Sequence, residues 1–104
     1  MNLRINGENW TICFCSPFDS ALETSRGIYT IGVCDDNLKT IFIAKGLSRE
    51  RMRKVLCHEL THAAMFSYNV VLDIHTEEIV ADIMATYGEQ IAGETERMFD
   101  YLTR

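Results

Sequence analysis

The hydrophobic period of this chain changes at Gly46, and that change decides most of what it can fold into. Before it, residues 2–6, 10–15, 28–34 and 39–44 are short runs rich in Ile, Val, Thr, Phe, Tyr and Trp, the composition of β-strands. They are punctuated by Asn6-Gly7, Ser16-Pro17, Gly27 and Asp35-Asp36-Asn37, residues that tolerate positive φ or bond their own backbone and so turn a chain. Residues 18–26 carry no clear period and read as a loop or a short helical turn. After Gly46, Val55, Leu56, Leu60, Ala63 and Ala64 recur at three- and four-residue intervals behind Ser48, a suitable helix N-cap. A second helix is predicted from Thr76 as N-cap, with Glu77 and Glu78 in its first turn and Val80, Ile83, Met84, Tyr87 and Ile91 as its apolar stripe. Gly93 is expected to end it, and 94–103 to form a short closing helix. The strand Lys39–Ala44 reads either as a sheet edge, able to pair with an extended peptide, or as an interior strand. The expected fold is α+β, a small, mostly antiparallel sheet packed on helices, in one domain spanning 1–104.

Charge narrows the partners. A net charge of −5 and a pI near 5.1 speak against nucleic acid, whose phosphates need a basic face. No apolar run approaches the roughly 20 residues that span a bilayer, and the start Met-Asn-Leu-Arg-Ile-Asn-Gly has no signal pattern, so a cytoplasmic protein with no membrane partner is expected. Cys13, Cys15, Cys34 and Cys57 are accordingly read as reduced thiols, with Cys13, Cys15 and Cys57 in core packing rather than on a metal.

The helix after Ser48 contains His58-Glu59-Leu60-Thr61-His62. Residues four apart on a helix have neighbouring Cβ atoms, so both imidazoles can converge on one ion, while Glu59, about a third of a turn round, stands beside it as a general base for a bound water. Zinc suits two imidazoles and a carboxylate with one position left open. Glu78, 16 residues after His62 and near the start of the next helix, is the candidate third ligand. Asp82 shares its face at i+4 and is suited to hold a ligating imidazole from outside. Glu77 has an equal claim to a solvated charge at the helix start. His75 has three readings: a ligand in place of Glu78, a donor to the oxyanion of a tetrahedral intermediate, or a loop side chain. Tyr68 is a competing oxyanion donor, or core.

The run Cys57-His58-Glu59-Leu60-Thr61-His62-Ala63, with Glu78-Ile79-Val80-Ala81-Asp82-Ile83-Met84-Ala85, resembles the H-E-L-x-H-A and E-x-x-A-[ND]-x-[FM]-A blocks of ImmA/IrrE-type metallopeptidases. It is also similar, more broadly, to thermolysin-like gluzincins. The resemblance covers roughly residues 39–92. It implies a zincin-like fold, zinc on His58, His62 and Glu78, Glu59 as base and Asp82 behind a ligand. It also implies a minimal catalytic core, or minigluzincin, that hydrolyses a protein or peptide substrate, by analogy a repressor-like protein of a phage or mobile element. Val80 departs from many relatives, which carry a second Glu there. The metzincin pattern fails, because Met65 and Tyr68 stand where that family has Gly and its third His. Two alternatives stay open: a latent or non-catalytic zinc-stabilised binding module, and a SprT-like protease using His75, although Thr76 follows it where that family has Gly.

Overall fold

In the computed structural model, which describes residues 1–104, the fold is α+β. Four strands, β1 (Asn2–Ile5), β2 (Glu8–Cys15), β3 (Gly32–Asp35) and β4 (Thr40–Ala44), form one sheet in the order β1-β2-β4-β3. Two of its three pairings are antiparallel, and β2 runs parallel to β4. Asn6 and Gly7 both take positive φ, 47° and 79°, the twist of a tight two-residue hairpin turn. That turn starts β2 two residues earlier than composition alone indicates, because it pairs Ile5 with Glu8.

Each face of the sheet is covered by a different part of the chain. Trp10, Ile41 and Ile43 are buried against Ala63 on one face, and Cys15 and Ala44 against Leu22 on the other. Leu22 comes from a 3₁₀ turn, Ser20–Leu22, in the long connection between β2 and β3. The first face carries helix α1 (Arg49–Ser67). Ser48 caps it as its sequence predicts, its hydroxyl accepting from the Arg51 N–H. The other end stops in a left-handed Asn69 at φ 56°, with Val70 N–H donating to Met65 C=O, so the freed carbonyls are satisfied. Trp10 Nε1 donates to Ser67 Oγ at 2.7 Å and Asn6 Nδ2 to Ser67 C=O at 2.9 Å, fixing where α1 lies along the sheet.

Three expectations need correction, and one open alternative is decided. The strand foreseen over 28–34 begins only at Gly32: residues 24–28 close a tight turn, Thr24 N–H donating to Ile28 C=O, and leave only an isolated bridge from Glu23 to Tyr29. Of the two readings of the strand Lys39–Ala44, the interior one holds, because the parallel pairing to β2 places β4 in mid-sheet and leaves β3 outermost. Helix α2 (Ile74–Ile83) is capped by Asp73, not Thr76. One Asp73 oxygen accepts from the Thr76 N–H at 2.9 Å and the other from its hydroxyl at 2.7 Å, so Thr76 lies inside the first turn. Gly93 does not end a helix: α2 passes through a π-helical segment, Met84–Gly88, into α3 (Glu89–Leu102), with Gly93 in its interior. A lone helical glycine costs only about 1 kcal/mol, which its neighbours outweigh. No helix is long and apolar enough to cross a membrane.

Candidate metal centre

The two imidazoles of α1 and the carboxylates opening α2 meet where these helices cross. His58 Nε2 and His62 Nε2 are 3.2 Å apart. Glu78 places one carboxylate oxygen 3.2 Å from His58 Nε2 and the other 3.0 Å from His62 Nε2. Two ring nitrogens and a carboxylate packed so closely repel through their lone pairs unless something positive lies between them. A shared proton satisfies one of these contacts, whereas a single cation satisfies all three. Donors at about 2.0–2.1 Å from a tetrahedral ion stand roughly 3.3 Å from one another, close to the spacing found here. The group fits a metal ion, with one side chain from each of three positions supplying a donor atom.

Each ring's outer nitrogen faces its own carboxylate. His58 Nδ1 is 3.0 Å from Asp82 Oδ1 and His62 Nδ1 is 3.4 Å from Glu77 Oε1. Glu78 and Asp82 are half-exposed and exposed, whereas the Glu77 side chain is only 13% exposed. A carboxylate so enclosed needs a positive or hydrogen-bonding neighbour, and the His62 ring nitrogen stands in that place.

Glu59 is buried beside this group, with Oε1 3.8 Å from His58 Nε2. Burial raises its carboxyl above the ordinary range, the two imidazoles pull it back, and Glu78 adds to the rise. Cys34 lies in the same cleft, where burial first and the charge of Glu59 second push its thiol up to about 12. It is therefore protonated at neutral pH and inert as a thiolate. All four cysteines are free.

What lets Glu59 sit so near the sheet is Gly32, at the start of the edge strand β3. A Cβ there would stand 2.6 Å from Val55 Cγ1 and 3.2 Å from Glu59 Cγ. Gly32→Ala is expected to destabilise the fold by about 1–3 kcal/mol through overpacking. Gly93→Ala, in open space, is expected to stabilise it by up to about 1 kcal/mol. Urea unfolding of the two variants checks both signs. Cavities of about 300 and 230 Å³ open on either side of the group, and both are lined by Gly32 and Glu59.

Sequence reading singled out neither Gly32 nor the contact of Glu77. An isolated glycine in a strand run is a signal of close backbone approach, and it was available. Glu77 carries no such mark. Of the other sequence candidates, His75 is exposed in the first turn of α2 and lies outside the metal-binding group. Tyr68 lines an apolar groove with Leu56, Leu60, Met65 and Val80, away from His58, Glu59 and His62.

Residues 17–97, 81 of the 104, match the family model of the IrrE N-terminal-like domain, peptidase family M78. The chain belongs to that family. No curated protein and no solved structure matches it. The matched span of this M78 domain holds β3, β4, α1 and α2, hence every residue of the metal-binding group and the buried Glu59. Membership makes it a metallopeptidase-family chain, whose substrates are proteins or peptides, and its His58-His62-Glu78 group is compatible with a metal.

Proposed function

We propose that this single-domain M78 chain is a zinc-dependent endopeptidase of the gluzincin type. In this reading His58, His62 and Glu78 hold the ion, Glu59 is the general base, and Asp82 and Glu77 orient the two imidazoles. The observation that carries it is the 3.0–3.2 Å spacing of three donor groups with a buried carboxylate alongside. Two imidazoles and a carboxylate suit zinc and leave a coordination position open. A bound zinc ion supplies Lewis acidity to the scissile carbonyl and brings the pKa of a water toward neutrality.

The chain's own residues do the rest. Glu59 accepts the proton of the attacking water on a carboxylate oxygen and passes it to the leaving amine. Its burial excludes competing solvent, and its raised proton affinity makes it a better base than an exposed Glu. β3, the edge strand next to Glu59, offers an unpaired side to which an extended peptide can add, placing a carbonyl over the group. Neither His75 nor Tyr68 is given a catalytic role. A repressor-like protein is the substrate suggested by analogy alone, and the cytoplasm, where four free thiols persist, is the matching compartment.

Metal analysis of purified protein by mass spectrometry, paired with cleavage of a peptide library with and without chelator, tests the proposal. One zinc per chain and chelator-sensitive cleavage are expected. Stoichiometric zinc without cleavage would favour a zinc-stabilised binding module, and protein that takes up no metal on reconstitution would end the reading. Glu77→Ala is expected to weaken zinc affinity about 10–100-fold, and Glu77→Gln, which keeps an oxygen facing the outer nitrogen of His62, to weaken it less. Competition against a chromogenic chelator reads this directly.

A further inference from the structure

The larger picture of the cleft is asymmetric. On one side of the metal group, the cavity of about 230 Å³ mixes apolar walls at Val33, Phe66 and Ile74 with the carboxylates of Glu59, Glu77 and Glu78, and no Lys or Arg lines it. On the other side, the cavity of about 300 Å³ is walled by α1 at Arg51, Lys54, His58 and Glu59. Positions 51, 54 and 58 are spaced three and four apart, so the two cations and the first histidine share one helical face. Neither Arg51 nor Lys54 makes an ion pair or a side-chain hydrogen bond. Their neighbour Arg53, turned to another face, is tied to Glu89, and Arg97, Arg104 and Lys39 each have a carboxylate. Other cations are unpaired too, but these two line the cavity that ends at Glu59 and His58. The carboxylates sharing it are already occupied: Asp82 faces His58 Nδ1 and Glu59 is buried.

We propose that Arg51 and Lys54 form a carboxylate-binding subsite of the peptidase. Substrates with Asp, Glu or a free C-terminal carboxylate a few residues from the cleaved bond, on one side only, are preferred. The distances follow from the helix. Lys54 lies about 6 Å and Arg51 about 10 Å along α1 from His58 at 1.5 Å per residue. An extended peptide advances about 3.3 Å per residue, so a carboxylate two or three residues from the bond reaches them. The chain's net charge of −5 repels acidic peptides at long range, which makes two unpaired cations inside the cleft a local reversal of sign. The inference rests on the peptidase reading for its meaning, and its test keeps the two separable.

Zinc-loaded full chain is offered a peptide library in which Asp and Glu peptides have Asn and Gln counterparts, each with a free or an amidated C-terminus. Wild type is expected to cleave the carboxylate member of a pair about fivefold faster, the size of an exposed charge contact for two cations. That ratio should fall toward one in Arg51→Gln/Lys54→Gln and in high salt. Lys45→Gln/Arg49→Gln removes the same charge outside the cavity and should keep the preference. The amidated arm shows whether side chain or chain end is read. In parallel, immobilised Glu59→Gln protein with zinc captures peptides from the same library, so the subsite is read without turnover. Enrichment of carboxylate peptides that disappears with Arg51→Gln/Lys54→Gln supports the subsite even where wild type cleaves nothing, an outcome that sinks the peptidase reading instead. Equal treatment of paired peptides in both assays, or a preference that survives Arg51→Gln/Lys54→Gln, overturns it.

Discussion

Glu59→Gln is expected to keep its metal at the wild-type level and to lower kcat/KM about a thousandfold, within the range a general base supplies. Gln has the shape of Glu, so the tight contact with Gly32 is preserved and β3 keeps its place on α1. His58, His62 and Glu78 are untouched, so affinity for the ion should not change. What is lost is the ability of the side chain to take up and release a proton. Metal analysis and peptide turnover on the same preparation measure both halves, and a variant that still turns over at the wild-type rate would remove Glu59 from the mechanism. The same substitution has a stability signature in metal-free protein. A carboxyl whose proton affinity is raised by burial stabilises the fold below the unfolded-state value of Glu and loses that contribution as pH rises through its folded value. Glu59→Gln has no such proton to lose. Urea unfolding of chelated protein should therefore show wild type weakening relative to Glu59→Gln as pH rises above the ordinary Glu range.

The parts of this molecule that were legible in its sequence are those decided by neighbours along the chain. Ser48 caps α1 and Asn6-Gly7 turns a hairpin because both effects are completed within four residues. The i, i+4 spacing of His58 and His62 put two rings on one face, and the structure sets their Nε2 atoms 3.2 Å apart. What was illegible depends on partners far away. Which strand is the edge follows from the parallel pairing of β2 and β4, closed over a long connection that includes β3 itself. The need for a glycine at position 32 exists only once Val55 and Glu59 press on it from α1. The choice of Asp73 over Thr76 as cap was undecidable by residue type, since both are good caps. It is settled by the carboxylate having two oxygens for the two donors of Thr76. Glu77 and Glu78 are adjacent in sequence yet about 100° apart on the helix. That turn sends one to the outer nitrogen of His62 and the other to both inner nitrogens.

Removing the metal is expected to lower the melting temperature by roughly 10–20 °C, from about 2.7 kcal/mol of binding at a hundredfold excess over Kd and about 4–8 °C per kcal/mol in a domain near this size. The structure gives a reason beyond mass action. Without a cation, two ring nitrogens and a carboxylate must remain 3.0–3.2 Å apart with at most a proton or two between them. Calorimetry with and without chelator measures the shift, and alanine variants apportion it. His62→Ala should abolish it and also destabilise the apo protein, since it leaves the enclosed Glu77 carboxylate without the ring nitrogen it faces. Glu78→Ala should abolish the shift while leaving the apo protein nearly as stable as before, because that side chain is half-exposed. His58→Ala should also lose the metal, and His75→Ala, at an exposed position outside the group, should keep both metal and shift. The opposite result, metal lost with His75→Ala and kept with Glu78→Ala, would move the third ligand to His75 and leave the close approach of Glu78 to both rings as an ordinary pair of ionic contacts.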